Sequence, residues 1–285
     1  MDRQDSSLAS RFLEGLGLAD ISLSSASAKL PAFRKGEQSL RRVAETSDCR
    51  EALNYLSRLT FPATRHVAFA AGPSTTAFVN NCRNGSDYAD YVYHLPRHLA
   101  CRFARFVCTR PRIWTNGTDR EVMSYEARIF DLHDSAGESI RTVTCMDDGG
   151  RWVFETRGEA LPVESTFPYT ARRESDRFTA EHLHELARQC GFSVPDEAAF
   201  RDAGYFVLYD VEGVQPFVSC TVEEADDPAY GYYLRGLGWV GHMKTHASSV
   251  IHDFERCTRL NPKYEPRVRQ YLEVARRHMA DDVDH

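Results

Sequence analysis

The chain has 285 residues, of which 42% are hydrophobic and 27% are charged, a composition typical of soluble globular proteins. It has no apolar run long enough to cross a bilayer and no signal peptide, so we expect a cytoplasmic protein without a membrane partner. The net charge of −6 provides no general attraction to nucleic acid, and nucleic-acid binding is not expected.

The cysteines and the basic residues indicate the compartment and the source. Eight cysteines are scattered along the chain without a C-x-x-C pair, which is typical of reduced, buried thiols in the cytosol. Arginine carries nearly all of the positive charge, because lysine occurs only at positions 29, 35, 244 and 263. This usage is typical of high-GC genomes and favours a bacterial source.

The first 40 residues are predicted to be peripheral. An i, i+4, i+8 spacing of apolar residues predicts a helix over 6–16 that ends at Gly17, and the residues concerned are Leu8, Phe12 and Leu16. A serine-rich and then polar stretch over 22–38 indicates a linker. We therefore expect an N-terminal helix and a loose linker over 1–40.

The next segment predicts a helix, a hairpin and a second helix. Asp48 with Glu51 marks the start of the first helix, and strands over 66–70 and 75–80 flank a Gly-Pro turn. Apolar residues then recur at helical spacing over 88–103, with Pro96 expected to kink or split this helix. A further strand is predicted over 104–108.

A three-stranded meander is predicted over 122–132, 139–146 and 151–156. The turn Asp147-Asp148-Gly149-Gly150 suits a tight hairpin because glycine adopts positive φ at no steric cost. The alternation after this turn predicts that Trp152 and Phe154 are buried on one face of the sheet while 147–150 are exposed.

The remaining segments predict helices around one more strand pair. A helix is expected over 179–190, a strand pair over 205–211 and 216–222, and helices over 243–257 and 265–279. Residues 41–260 are therefore predicted to form one α+β domain, and 261–285 a C-terminal helix with a frayed tail. The fold class is α+β: an antiparallel sheet meander of about six to eight strands with helices packed mainly on one face.

The domain is a candidate for an internal duplication. Segments 65–103 and 139–192 have the same order of hairpin, loop, helix and cysteine. Two similar halves would produce this order, and chance similarity is the alternative.

Several short motifs carry a resemblance to a group of bacterial proteins. Asn80-Asn81 and Gly85-Ser86-Asp87 precede a predicted helix, DDGGRWVFE spans 147–155, and Arg172-Arg173 precedes the helix start Asp176-Arg177-Phe178. Residues 65–195 resemble uncharacterised proteins of high-GC bacteria. The most distinctive parts of this resemblance are the DGGRWVF hairpin and the downstream DRF. Such proteins are similar in size and composition to the cytosolic immunity and accessory proteins that accompany secreted toxins. The resemblance implies a protein partner and supplies no catalytic residue.

Two groups of residues are candidates for a binding site. Acidic residues of the meander, with an arginine beside them, are suited to a cation or an arginine-rich partner, although a solvent-exposed hairpin turn is the favoured interpretation; they are Asp147, Asp148, Arg151 and Glu155. The densest aromatic stretch spans 230–239 and includes Tyr232, Tyr233 and Trp239. It is typical either of a protein-binding surface or of a β-rich core.

Histidines are the candidates for chemistry. His242 and His246 are four residues apart and could share a metal ion on a helix, with His252 further along. The absence of an H-E-x-x-H pattern leaves two firm ligands, so the favoured interpretation is that these are surface or partly packed histidines. Gly236, Gly238 and Gly241 match G-x-G-x-x-G without a surrounding βαβ unit, and no cofactor is expected.

Two hypotheses of function follow. The first is a non-catalytic, cytoplasmic bacterial protein that binds a partner protein, such as a toxin, as an immunity or accessory protein. The second is a metal-dependent or hydrolytic enzyme that uses His242, His246 and His252 with nearby carboxylates. The sequence predicts no oligomeric state.

Overall fold

The computed structural model describes residues 3–116 and 119–283, and these residues divide into two units. The first unit contains the described residues up to Arg112 together with Ser124–Cys220. The second unit contains Ile113–Met123 together with the described residues from Thr221 onwards.

The first unit is built around an antiparallel sheet in which ten strands are described. In spatial order they are β12 (Trp152–Gly158), β11 (Ser139–Asp147), β10 (Ala127–His133), β7 (Phe103–Thr109), β1 (Gly15–Asp20), β6 (Thr75–Asn80), β5 (Arg65–Ala70), β13 (Phe206–Glu212), β3 (Gln38–Thr46) and β2 (Arg34–Lys35). A separate short ladder joins β4 (Leu59–Phe61) to β14 (Val218–Cys220). The α+β class with a large antiparallel sheet is therefore confirmed.

Helices pack against both faces of this sheet. The described helices of the first unit are α1 (Arg3–Leu13), α2 (Leu23–Lys29), α3 (Cys49–Leu56), α4 (Leu95–Leu99), α5 (Ala180–Gln189) and α6 (Glu197–Asp202). Side chains alternate between the faces of a strand. Ala68, Phe78 and Val207 therefore share one face, with α2 and α4, while Phe69 and Phe206 share the other and contact Phe200 of α6.

Several predicted elements are confirmed, and two of the helices begin at the residues predicted to cap them. Asp48 caps α3 by accepting from the backbone N–H of Arg50, and Thr179 caps α5 by accepting from that of His182. The hairpin β5–β6 and the strand pair β11–β12 form at the predicted positions, whereas the strand predicted over 122–132 is divided between β9, which ends at Ser124, and β10, which begins at Ala127. At the turn of the meander, Gly149 and Gly150 have φ of 70° and 99°, as a tight hairpin requires.

The N-terminal prediction is wrong in its second half. The helix ends at Leu13, and Leu16 and Gly17 lie in β1, which is paired on both sides by β6 and β7. The segment expected as a loose linker carries α2, β2 and the start of β3, and its apolar side chains Ala26, Leu30 and Phe33 are buried. Pairing in the middle of the sheet overrides the local helical spacing.

Two further predictions are corrected. The helix expected over 88–103 is limited to α4, because Pro96 occupies its first turn and Ala100 ends it in the left-handed region with φ of 56°. The strand pair expected over 205–222 does not form, since β13 pairs with β3 and β5 while β14 pairs with β4.

The second unit combines a hairpin with helices. The hairpin consists of β8 (Arg112–Asn116) and β9 (Asp119–Ser124), and the helices are α7 (Val222–Ala225), α8 (Pro228–Val240), α9 (Met243–Leu260) and α10 (Glu265–Val283). The aromatic run over 230–239 is therefore helical and contributes to no β-rich core. Gly236 of α8 lets Phe254 of α9 approach closely, because a Cβ at this glycine would lie 2.4 Å from the phenyl ring.

No helix within residues 3–116 and 119–283 combines the length and the apolar character needed to span a membrane.

Candidate functional site

The candidate site is a cleft at one end of the ten-stranded sheet, where β1, β3 and β5 begin and β6, β7 and β13 end. We call it the Glu14 cleft. Its volume is about 260 Å³, and it is lined by Glu14, Lys35, Gln38, Phe61, Pro62, Ala63, Asn80, Cys82, Asn84, Gly85, Ser86, Asp87, Ala89, Asp90, Tyr91, Val107, Thr109 and Val214. Antiparallel pairing collects loops from distant parts of the sequence at this end of the sheet, so the cleft has no signature in any single segment.

Two adjacent asparagines hold the loops of the cleft. The side-chain oxygen of Asn81 accepts from the backbone N–H groups of Thr64 and Arg65 at 2.9 and 3.0 Å, and its amide donates to the carbonyl of Arg58 at 2.7 Å. Asn80 donates from its amide to the carbonyl of Asp87 at 2.6 Å. Both side chains are buried, so the bonds that they make are costly to lose.

Two glycines of β1 let the loop over 81–91 lie against the sheet. A Cβ at Gly15 would be 1.7 Å from the carbonyl oxygen of Ser86, and a Cβ at Gly17 would be 2.6 Å from the ring of Phe103 and 2.9 Å from that of Tyr88. Only glycine leaves room for these approaches. The glycine predicted to end a helix is thus required for packing at the cleft.

Asp87 is occupied by contacts within the protein. Its carboxylate accepts from Arg105 Nε at 2.6 Å and from Arg105 Nη2 at 2.8 Å, a bidentate ion pair. The same carboxylate accepts from the backbone N–H of Tyr88 at 2.7 Å. Asp87 therefore shapes the loop, and its charge is balanced by Arg105.

Glu14 has an incompletely paired carboxylate. Its Oε2 is buried without a hydrogen-bond partner in the described structure, and the guanidinium nitrogen Nη2 of Arg112 lies 3.8 Å away. Burial raises the pKa of Glu14, although the charges of Arg112 and Arg11 oppose this shift. The site thus contains a carboxylate oxygen that lacks a donor.

A buried histidine lies behind the wall of the cleft. His66 Nδ1 is hydrogen-bonded to the hydroxyl of Tyr88 at 2.8 Å, and its ring contacts Tyr91, which lines the cleft. Burial, with a smaller contribution from the charge of Lys35, lowers the pKa of His66 to about 3. The imidazole is therefore neutral at physiological pH.

The thiol that lines the cleft is not an activated nucleophile. Burial raises the pKa of Cys82, so the thiol stays protonated near neutral pH. All eight cysteines are free thiols.

Exposed aromatic rings border the cleft. Phe61 lines it and is 44% exposed, and Phe217, whose backbone N–H donates to the carbonyl of Phe61 at 2.8 Å, is 85% exposed. A phenylalanine exposed to this degree gains little free energy from burial on folding. Phe61 is thus an exposed apolar ring at the rim of the cleft, and its backbone is bonded to that of a second exposed phenylalanine.

The predicted acidic group of the meander does not form one cluster. Asp147 pairs with Trp152 across β11 and β12, and its carboxylate accepts from the backbone N–H of Gly150 at 2.6 Å. Glu155 lies three positions after Trp152 and therefore on the opposite face of β12. Asp148 and Arg151 are exposed at the turn, where the backbone N–H of Asp148 donates to the carbonyl of Arg151 at 2.7 Å.

The meander also differs in burial from the prediction. Trp152 and Phe154 are half-buried instead of buried, because β12 is an edge strand. Arginine side chains cover them: the guanidinium of Arg128 lies 5.0 Å from the ring of Trp152, and that of Arg177 lies 5.6 Å from that of Phe154.

The predicted aromatic residues lie on α8 and engage other parts of the second unit. The hydroxyl of Tyr232 donates to Glu121 Oε2 at 3.1 Å, and Tyr233 stacks on Tyr264 with ring centroids 5.6 Å apart. Trp239 stacks on His246 with ring centroids 4.7 Å apart.

The histidines that the sequence offered as possible metal ligands are arranged differently from a ligand set. His246 has a non-helical backbone within α9, and its Nδ1 is hydrogen-bonded to the hydroxyl of Thr245 at 2.8 Å. The ring centroids of His242 and His246 are 6.3 Å apart. No group of three or more potential metal ligands occurs in the described part of the chain.

The sequence indicated part of the Glu14 cleft without identifying it as a site. The motifs Asn80-Asn81 and Gly85-Ser86-Asp87 carried the resemblance, and they build the cleft wall. Glu14 was placed at the end of a helix, where an acidic residue has no distinguishing signal.

Comparisons with protein-family models, with curated protein sequences and with solved structures found no match to this chain.

Proposed function

We propose that this chain is a non-catalytic binding protein of the bacterial cytoplasm that receives a lysine or arginine side chain of a partner protein in the Glu14 cleft. The observation that carries the proposal is the buried Oε2 of Glu14, which has no hydrogen-bond donor in the described structure. An ammonium or guanidinium group would supply that donor.

The charges of the cleft favour a cationic ligand. A buried carboxylate oxygen without a donor costs free energy, and this cost is recovered when a cation binds. Asp90 adds a second, exposed carboxylate to the lining, whereas the charge of Asp87 is balanced by Arg105. The one basic residue of the lining, Lys35, lies over the ring of Tyr91 at 4.9 Å.

The rim of the cleft favours a protein as the partner. Aromatic side chains are typical of the centres of protein interfaces, where large rigid rings provide contact area at a low cost in entropy. Phe61 and Phe217 supply such rings, and a hydrogen bond from the backbone N–H of Phe217 to the carbonyl of Phe61 joins the two segments. The resemblance to immunity and accessory proteins supports the same class of function, and a basic toxin surface would complement the cleft.

Selection from displayed peptides tests the proposal. Two random libraries would be prepared, identical except that the central position is fixed as arginine in one and as glutamine in the other. We expect the whole protein to enrich peptides from the arginine library alone. Selected peptides should bind Glu14→Gln at least about tenfold more weakly than the parent, because a charge-assisted hydrogen bond is lost.

A matched variant controls for the loss of a negative charge elsewhere. Glu155→Gln removes an exposed carboxylate from β12, and it should leave the affinity of the selected peptides unchanged. Equal enrichment from both libraries, or equal affinity for the parent and Glu14→Gln, would contradict the proposal. Circular dichroism establishes that both variants are folded.

A further inference from the structure

A second cavity lies in the first unit, and we call it the Leu132 cavity. Its volume is about 330 Å³, and it shares no lining residue with the Glu14 cleft. It is bounded by β10, β11, the turn over 161–163 and the end of α5, and its lining residues are Arg102, Leu132, Ile140, Leu161, Pro162, Val163, Gln189 and Cys190.

The wall of the Leu132 cavity is mainly aliphatic. Leu132, Ile140 and Val163 present hydrocarbon side chains, and burial raises the pKa of Cys190 to about 11, so this thiol is uncharged. An apolar cavity of about 150 Å³ is large enough to hold benzene. A cavity of twice that volume accommodates an alkyl chain of roughly eight carbons on the same scale.

One cationic side chain lines the cavity. Arg102 donates from Nε and Nη2 to Asp20 Oδ2 at 3.1 and 2.7 Å, and its side chain is 43% exposed. Within the described residues, no hydrogen bond involves Nη1 of this arginine. The guanidinium therefore retains donors for an anion while its position is fixed by Asp20 and by the ring of Phe192 at 5.7 Å.

We propose that the Leu132 cavity binds an aliphatic monocarboxylate, with the alkyl chain inside the cavity and the carboxylate on Arg102. Burial of the chain removes apolar surface from water, and the guanidinium selects an acid over a neutral compound of the same length. Gln189, whose Nε2 donates to Glu185 Oε1 at 2.8 Å, is the other polar residue of the lining. This proposal is independent of the function proposed for the Glu14 cleft.

Isothermal titration calorimetry with three probes tests the proposal on the whole protein. Octanoate carries both the chain and the charge, octan-1-ol carries the chain alone, and acetate carries the charge alone. We expect octanoate to bind at least about tenfold more tightly than either of the others, because it alone uses both parts of the site.

Variants distinguish this site from general binding to the surface. Arg102→Gln should weaken octanoate about tenfold while leaving octan-1-ol unchanged, and Val163→Trp should weaken both by filling the cavity. Arg97→Gln is the matched control, because Arg97 is also an exposed arginine paired with a carboxylate, that of Glu138 at 3.1 Å. It should leave both affinities unchanged.

Four results would overturn the proposal: no binding of octanoate, equal affinity for octanoate and octan-1-ol, an Arg102→Gln variant that binds octanoate as the parent does, or an equal loss in Arg97→Gln. Since Arg102 is a partly exposed residue outside the core, the folding of its variant is expected to be normal. Circular dichroism checks this expectation.

Discussion

At the scale of single residues, His66 links the stability of the first unit to pH. Burial lowers the pKa of His66 to about 3, whereas a histidine in an unfolded chain has a pKa of about 6.5. Below pH 6.5 the unfolded state therefore binds a proton that the folded state does not, and stability falls as the pH falls from 6.5 towards 3.

We predict that the free energy of unfolding of the first unit decreases by about 2 kcal/mol between pH 7.5 and pH 5 on account of His66. His66→Gln should remove most of this decrease, even if the variant is less stable throughout. The measurement is urea unfolding followed by the fluorescence of Trp152, the one tryptophan of the first unit, after Trp114 and Trp239 have been replaced with phenylalanine in every protein compared.

His98→Gln is the control, because His98 is only half-buried on α4. It should keep the pH dependence of the parent. A parent-like decrease in His66→Gln would show that another group binds the proton.

Glu14 and Asn81 show what a sequence reveals about single residues. The pair Asn80-Asn81 is visible as a motif, but its role depends on backbone groups of Arg58, Thr64 and Arg65, which lie on another segment. The unpaired oxygen of Glu14 is a property of its surroundings and has no signal in the sequence. Residue types that build the site could thus be predicted, whereas the unmet hydrogen bond could not.

At the scale of elements, the predictions succeeded where local signals agree with sheet pairing. The meander β10–β11–β12 has alternating residues and glycine turns, and both favour hairpins. In β1 the local signal and the sheet pairing conflict. Leu8, Phe12 and Leu16 have helical spacing, but Leu16 and Leu18 are buried in the middle of the sheet. Strand partners that are distant in sequence decided this case.

The loop over 159–178 is attached to β11 by a buried ion pair. Arg141 Nε donates to both carboxylate oxygens of Glu164 at 2.9 and 3.1 Å, and Tyr169 donates its hydroxyl to Glu164 Oε2 at 2.7 Å. Arg141 also donates from Nη1 to the carbonyl of Gly158 at 2.7 Å. The guanidinium of Arg141 and the carboxylate of Glu164 compensate each other's charge, so removing one leaves the other buried and uncompensated.

We predict that Glu164→Gln lowers the stability of the first unit by about 3 kcal/mol or more, because it leaves a buried guanidinium without its counter-charge. Trypsin should also cleave faster after Arg172 and Arg173, which are exposed on the attached loop. The measurements are urea unfolding by Trp152 fluorescence and the rate of tryptic cleavage.

Glu185→Gln is the matched control, since Glu185 forms an exposed ion pair with Arg188 at 2.7 Å on α5. Exposed pairs contribute little to stability, so neither measurement should change. A Glu164→Gln variant as stable as the parent would mean that the arginine finds another partner.

At the scale of the whole molecule, the second unit is assembled from two separate stretches of the chain. In the sequence, the hairpin β8–β9 lies between β7 and β10, which are neighbouring strands of the first unit's sheet. The hairpin nevertheless belongs to the same unit as α7–α10. The chain therefore passes between the units three times. A boundary of this kind leaves no linker composition in the sequence, which explains why one domain over 41–260 was expected.

Glu121 of β9 joins the inserted hairpin to the helices of the second unit. It accepts from Arg256 Nε at 3.0 Å and from the hydroxyl of Tyr232 at 3.1 Å, and both members of the ion pair are largely buried. We predict that Glu121→Gln lowers the stability of the second unit by about 2 kcal/mol, because the partly buried guanidinium loses its counter-charge. Amide hydrogen exchange should then accelerate in α8 and α9, with the strands of the first unit as the internal reference.

Glu255→Gln, which breaks the exposed pair with Arg276, should leave exchange unchanged. Equal acceleration in both variants would show that the hairpin is held by other contacts.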